Sequence, residues 1–142
     1  DGVFKAIPTD LNYAQKLNLP PSGNGFRSSI EAMLVSRVIN GCIALGDKSL
    51  EQMIASIDNG IIVYSLMGAH SGNILNGDFS VGVASGFLIK NGKLIGRVKD
   101  CMLSGNVYEN LLHIEAIENE VTTMGGRKFP SLLLDQVSIA GQ

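Results

Sequence analysis

Histidine and cysteine are scarce in this 142-residue sequence: there are two of each. A structural or catalytic zinc needs three or four converging ligands. The HExxH spacing that puts two histidines on one helical face with a glutamate as base is missing, and His113-Ile114-Glu115 does not supply it. Cys42 and Cys101 lie far apart without CxxC spacing, which reads as thiols buried in a reducing compartment and leaves a single disulfide between them open. No serine sits in a GxSxG elbow, so a triad drawn from Ser71 or Ser80 with His70 and Asp78 lacks its usual support. Ser85, in Ala84-Ser85-Gly86, also lacks the leading glycine. Gly68-Ala69-His70-Ser71-Gly72 has no Lys-Ser/Thr ending and makes no phosphate cradle. No apolar run approaches the roughly 18 residues of a membrane span, and no signal-peptide pattern is visible, so the cytoplasm is the default. The 11 Lys and Arg are scattered and the net charge is −2, against the basic face of a nucleic-acid binder. Gly125-Gly126-Arg127-Lys128 reads as a solvated turn. There is no internal repeat.

What remains is a globular composition, 45% hydrophobic and 17% charged. A chain of this length fits one domain over residues 1–142 and buries about two thirds of its unfolded surface. It begins at Asp1 rather than Met, and is expected to be a fragment of a longer protein.

The chain is organised around residues 77–105. Asn91-Gly92, between two runs of strand formers, is the strongest short-range signal for a type I′ hairpin, because both turn residues need positive φ. That turn sets Lys90 opposite Lys93, Ile89 opposite Leu94, Leu88 opposite Ile95 and Phe87 opposite Gly96. Both faces are apolar near the turn, which predicts a hairpin covered on both sides. Gly82 and Gly86 predict a bulge or a close backbone approach.

Elsewhere, residues 2–7 read as a strand. Thr9 or Asp10 can cap a helix through Leu17 that Pro20-Pro21 end. Residues 22–29 are a polar, Gly-rich loop. Residues 32–45 read as two strands around Asn40-Gly41. Ser49 with Gln52 forms a capping box ahead of the stripe Leu50, Met53, Ile54 and Ile57, and Gly60 stops that helix. Residues 60–67 are a buried strand, and 68–77 a second long loop. The two loops are expected to face a shared cleft, with His70 at the apex of the second. Asn106 or Ser104 can cap a helix that holds Val107, Leu111 and Leu112 and extends over His113 and Ile114. Residues 121–124 are a strand, and 131–139 a strand whose parity change between Leu134 and Val137 suggests a bulge. The fold class is α+β, a mostly antiparallel sheet or partly closed barrel with a few short helices.

Several motifs occur in one order: Gly46-Asp47-Lys48-Ser49, Met67-Gly68-Ala69-His70-Ser71-Gly72-Asn73, Gly77-Asp78-Phe79-Ser80, Ala84-Ser85-Gly86-Phe87, Ser104-Gly105-Asn106, Pro130-Ser131-Leu132-Leu133 and the closing Ser138-Ile139-Ala140-Gly141-Gln142. Over its last two thirds the chain resembles the C-terminal domain of the TldD/PmbA family. The resemblance implies microbial proteins associated with metalloprotease activity and once named modulators of DNA gyrase. Metal-bearing members carry His-Glu-x-x-x-His, and take a further Cys from a Gly-rich stretch before the last strand. The corresponding Thr123-Met124-Gly125-Gly126-Arg127 has no Cys, so the chain is similar to the PmbA-like branch that lacks its own metal. The resemblance implies no cofactor in this segment, with zinc in the full-length protein or its partner. It also implies a homo- or hetero-dimer with a TldD-like subunit, an unfolded peptide as substrate, and no role for nucleic acid or membrane. His70, Ser71, Asn73, Asp78 and Ser80 are the candidates for a substrate cavity. The alternatives are a complete zinc metallopeptidase with its metal motif upstream, and a gyrase-modulating binding module.

Overall fold

Residues 5–38, 41–124 and 127–141 are described by the computed structural model, and they divide into two compact units, Asp1–Cys42 and Ile43–Gln142. Capping organises the first unit. Asp10 is the N-cap of α1 (Leu11–Leu17): its carboxylate accepts from the Tyr13 N–H at 2.9 Å and from the Ser36 hydroxyl at 3.0 Å. Its own N–H donates to Ser36 Oγ at 2.9 Å. Asn18 closes the helix in the left-handed region at φ 53. The chain then forms β1 (Gly25–Phe26) and β2 (Val35–Ser36), an antiparallel pair. The pair places a strand inside the polar stretch 22–29 and only one across the described part of 32–45; Asn40 lies outside the described residues. Residues 5–7 are not a strand, and the rest of that expected strand lies outside the described residues.

The second unit starts with α2 (Leu50–Ala55), whose capping box is formed as expected: Ser49 Oγ accepts from Gln52 N–H at 3.2 Å and Gln52 Oε1 accepts from Ser49 N–H at 2.9 Å. The helix ends a turn before Gly60, which is already in β3 (Asn59–Met67). A 3₁₀ turn, Ala69–Ser71, leads toward β4 (Asp78–Lys90), followed by β5 (Lys93–Arg97) and β6 (Met102–Asn106). After α3 (Val107–Leu112) come β7 (Ile114–Ile117), β8 (Thr122–Met124), β9 (Arg127–Phe129), β10 (Leu132–Leu134) and β11 (Ser138–Ala140). His113 ends α3 rather than lying within it, and Ile114 opens a strand.

The thirteen-residue β4 is the spine of a five-stranded sheet. One edge pairs antiparallel with β3; the other is shared, with β6 along its first half and β5 along its second. β11 extends the sheet beyond β6. Val81, Val83 and Leu103 bury one face together with Cys101. Separate antiparallel pairs join β7 to β10 and β8 to β9. The class is α+β and mostly antiparallel, as expected; among the described residues no barrel closes.

The turn is as the dipeptide demands: Asn91 lies at φ 48 and Gly92 at φ 72, with Lys90 facing Lys93 and Ile89 facing Leu94. Beyond Ile89 the register slips, so Leu88 faces Gly96 and Phe87 faces Arg97. The expectation that the hairpin is covered on both sides fails for β5, which is exposed throughout and, among the described residues, pairs with β4 alone. The tip is nevertheless anchored. Asn91 N–H donates to Asp58 O and Gly92 N–H to Ile57 O, each at 2.8 Å, and a Cβ on Gly92 would stand 2.8 Å from Ala55 O. Gly86 meets its expectation of close approach, since a Cβ there would lie 2.6 Å from Ile62 O. β3 is irregular opposite it, between Val63 and Leu66.

The stretch 131–139 is not one bulged strand. Gln136 turns at φ 62 and splits it into β10 and β11, which serve different sheets. Glu118 ties β7 in place: its N–H donates to Ser131 O at 2.9 Å, its carboxylate accepts from Ser131 N–H at 2.9 Å, and its carbonyl accepts from Gly46 N–H at 3.0 Å. Any side chain at Gly46 would collide with the Ile117 carbonyl.

Two expectations follow. Asn91→Val puts a β-branched residue at positive φ and should destabilise the second unit by about 1–2 kcal/mol, read as a lower urea midpoint. An unchanged midpoint would show that the turn tolerates any residue. In the first unit, the Tyr13 N–H bond above all, aided by Ser36, holds the Asp10 carboxyl below its ordinary range against the opposing effect of burial. A depressed carboxylate adds stability that is present above the ordinary carboxylate range and lost as pH falls through the folded value. Asp10→Ala should therefore lower the melting temperature near neutrality and weaken its fall on acidification. Parallel curves for variant and parent would contradict that account.

Candidate functional site

The alternation of β4 sorts its residues to two faces. Phe79, Val81 and Val83 point to the core side, while Asp78, Ser80 and Gly82 point to the other. Register carries that second face across neighbouring strands. Asp78 pairs with Asn106, Ser80 pairs with Ser104 and Ser104 with Ser138; Gly82 pairs with Met102 and with Met67, and Met102 with Ala140. The result is a patch of small and polar side chains, with a methionine on either side of Gly82.

The approach to this face is fixed by asparagines. Asn73 Oδ1 accepts from the N–H groups of Leu75 (3.0 Å) and Asn76 (3.4 Å), and Asn76 Oδ1 accepts from the Asp78 N–H at 3.1 Å. These bonds let a side chain stand in for a missing backbone partner. Asn73 N–H donates to Asp78 O at 3.0 Å and Gly77 N–H to Asn73 O at 2.8 Å. Asn106 is the α3 cap predicted for it, accepting from Tyr108 and Glu109 N–H. Its amide also donates to Asn76 O at 2.7 Å and to Asp78 Oδ1 at 2.8 Å. The Tyr108 hydroxyl donates to Ile74 O at 2.8 Å. Gly77, at φ 83, is obligatory: a Cβ would stand 2.6 Å from the Tyr108 ring.

The candidates therefore separate by role. Asn73 shapes its own loop, Asp78 is held by Asn106, and Ser80 lies exposed on the sheet in line with Ser104 and Ser138. His70 is exposed in the 3₁₀ turn, and Ser71 ends that turn. Asn76, Asn106 and Tyr108 were not singled out for this site from the sequence, although Asn76-Gly77 carries the same turn signal as Asn91-Gly92. Among the described residues no three His, Cys, Asp or Glu side chains converge to hold a metal ion. Cys42 is exposed, Cys101 is buried, and both are free thiols, so no disulfide joins them. No helix among the described residues is long and apolar enough to cross a membrane. The stretch 22–29 belongs to the first unit and 68–77 to the second.

Comparison with known proteins places these features. Residues 1–141 match the family described as PmbA/TldA metallopeptidase C-terminal domain. The chain is 34% identical over 122 residues to a metalloprotease of Methanothermobacter thermautotrophicus, a match covering 84% of this chain and 26% of that protein. It is 30% identical over 142 residues to the metalloprotease PmbA of Escherichia coli O157:H7, covering all of this chain and 29% of that protein. The crystal structure of TldE from Thermococcus kodakarensis superposes with a TM-score of 0.83 at 33% identity, covering 97% of this chain and 32% of that one. The chain thus spans no more than about a third of the length of these relatives. With the fold, the motif order and these matches in agreement, the chain belongs to the PmbA/TldA metallopeptidase family and corresponds to its C-terminal domain.

Proposed function

We propose that this chain takes part in cytoplasmic, metal-dependent proteolysis or peptide maturation as a non-catalytic domain of the PmbA-like kind. In this reading it forms one wall of a substrate cavity and a surface for pairing with a TldD-like subunit. The observation that carries the proposal is the outer face of β4, β6 and β11. Asp78, Ser80, Ser104 and Ser138 line up there with no bulky side chain between them. Hydroxyl and carboxylate groups on such a face can hydrogen-bond a polypeptide backbone without selecting one sequence. Activating water for peptide hydrolysis takes a metal or a perturbed acid–base pair. The described residues offer no convergent ligand set, so the proposal assigns the zinc to the partner or to another part of the protein. His70, Ser71 and Asn73 border the face in this reading, and Asp78 and Ser80 belong to it.

A second reading draws on the relatives. Several carry the word metalloprotease in their names, one of them zinc metalloprotease. On that reading, the intact protein holds a complete metal site outside this chain.

One experiment separates the two: the mass of the intact protein in solution, and its hydrolysis of an unfolded polypeptide with and without a metal-bearing homologue. The first reading expects cleavage only in the mixture, lost on chelation and accompanied by a heteromeric mass. Metal-dependent cleavage by the protein alone, as a monomer, would overturn it in favour of the second.

A further inference from the structure

The same outer face contains a recess that the proposal above leaves without a task. Across three hydrogen-bonded strands, Met67, Gly82 and Met102 occupy one row. Gly82 has no side chain, so the row dips between two methionines. A Cβ built on Gly82 would stand 3.4 Å from the terminal methyl of Met67, so that side chain leans over Gly82 and bounds the dip on the β3 side. The recess has a volume of about 500 Å³ and runs to the segment that joins β5 to β6, where Val83, Val98 and Cys101 of the core cluster complete its wall with Ala84, and Lys99 and Asp100 contribute one charge of each sign. That volume lies in the range of pockets that enclose small ligands or side chains. Met67 is 59% exposed and Met102 49% exposed, although both are large apolar residues.

We infer that the recess at Met67, Gly82 and Met102 is a subsite that takes an apolar side chain of an extended peptide. Three observations meet in this assignment. Met67, Ala84, Val98 and Met102 make most of the wall apolar, so an apolar side chain placed there leaves water for apolar contact. Methionine is unbranched and adaptable, which suits a pocket that accepts several apolar side chains of different shape. Finally, Gly82 is two residues along β4 from Ser80, on the same face. An extended chain laid along β4 repeats its side-chain direction about every 7 Å, so one residue can lie over the serine row while its i+2 neighbour enters the recess. The proposed cavity wall thereby gains a preference: backbone tolerated along the serines, one apolar side chain read beside them. The inference rests on the proposed substrate-cavity role, but its test reads occupancy and not cleavage.

The test uses the intact protein carrying methyl-labelled methionine, with the Met67 and Met102 signals assigned through Met67→Leu and Met102→Leu. The probes are two capped pentapeptides, Ala-Ala-Leu-Ala-Ala and Ala-Ala-Asp-Ala-Ala. The leucine peptide should shift both methyl signals and bind about tenfold more tightly than the aspartate peptide. Gly82→Leu, which fills the dip, should abolish the shifts. If that variant fails to fold, Gly82→Ala serves, since its Cβ makes only ordinary contact with Met67; it should weaken the leucine peptide about tenfold. Equal response to both peptides, no shift at either methionine, or indifference to the Gly82 variant that folds would each overturn the subsite. Peptide bound here but never cut in any mixture would instead count against the proteolytic reading and leave the recess standing.

Discussion

The five-stranded sheet of the second unit depends on the backbone pairing of β4. A strand has two hydrogen-bonding edges, and β4 is long enough to divide one of them between β6 and β5 while β3 takes the other. That division sets where the chain must bend. Opposite Gly86, the Ile62 carbonyl comes so near that no side chain fits, and β3 slips in register there. The unit keeps its pairing by omitting a Cβ. The same device recurs at Gly46, beside the Ile117 carbonyl, and at Gly92, beside the Ala55 carbonyl. In each case the omitted side chain lets a backbone carbonyl from another element come close.

The functional face inherits its shape from this arrangement. Because Phe79, Val81 and Val83 are committed to the core, the alternate residues Asp78, Ser80 and Gly82 must face the other way. The loop before β4 is then held by side chains as much as by backbone. Asn73, Asn76 and Asn106 supply the bonds that a regular strand would make, and Tyr108 closes over Gly77. A loop fixed in this way loses little further freedom when something binds beside it, which favours a preformed surface. Ile74 and Leu75 project from the same loop and remain exposed, so its order comes from polar bonds and not from burial of its own apolar residues.

Much of the fold could be read in the sequence wherever a local rule was decisive. The Ser49–Gln52 capping box, the Asp10 cap, the Asn106 cap and the Asn91-Gly92 turn all rest on bonds or torsions within a few residues, so no distant partner could change them. Two of the readings that failed concern which strand a segment joins. Residues 131–139 show an apolar pattern that one bulged strand would share, yet the turn at Gln136 sends the two halves to different sheets. Only the first residue of β7, Ile114, carries a local signal, and its apolar spacing continues the preceding helix. The Glu118 bonds to Ser131 and Gly46 that fix β7 come from residues 13 and 72 positions away.

The site divides along the same line. By itself the sequence determined the residue types available: few histidines, separated cysteines, no clustered metal ligands in order along the chain, and Gly-rich motifs that mark the family. Those are properties of composition and spacing, which folding does not alter. Only the tertiary structure decided that Ser80, Ser104 and Ser138 form one row, that Asp78 is held by Asn106, and that Gly82 makes a dip between Met67 and Met102. The reason is that a strand's period of two assigns a residue to one of two faces, but a shift of one residue in pairing reverses the assignment. Register is set by the competition of β3, β5 and β6 for the edges of β4, and that competition involves residues far apart in the chain.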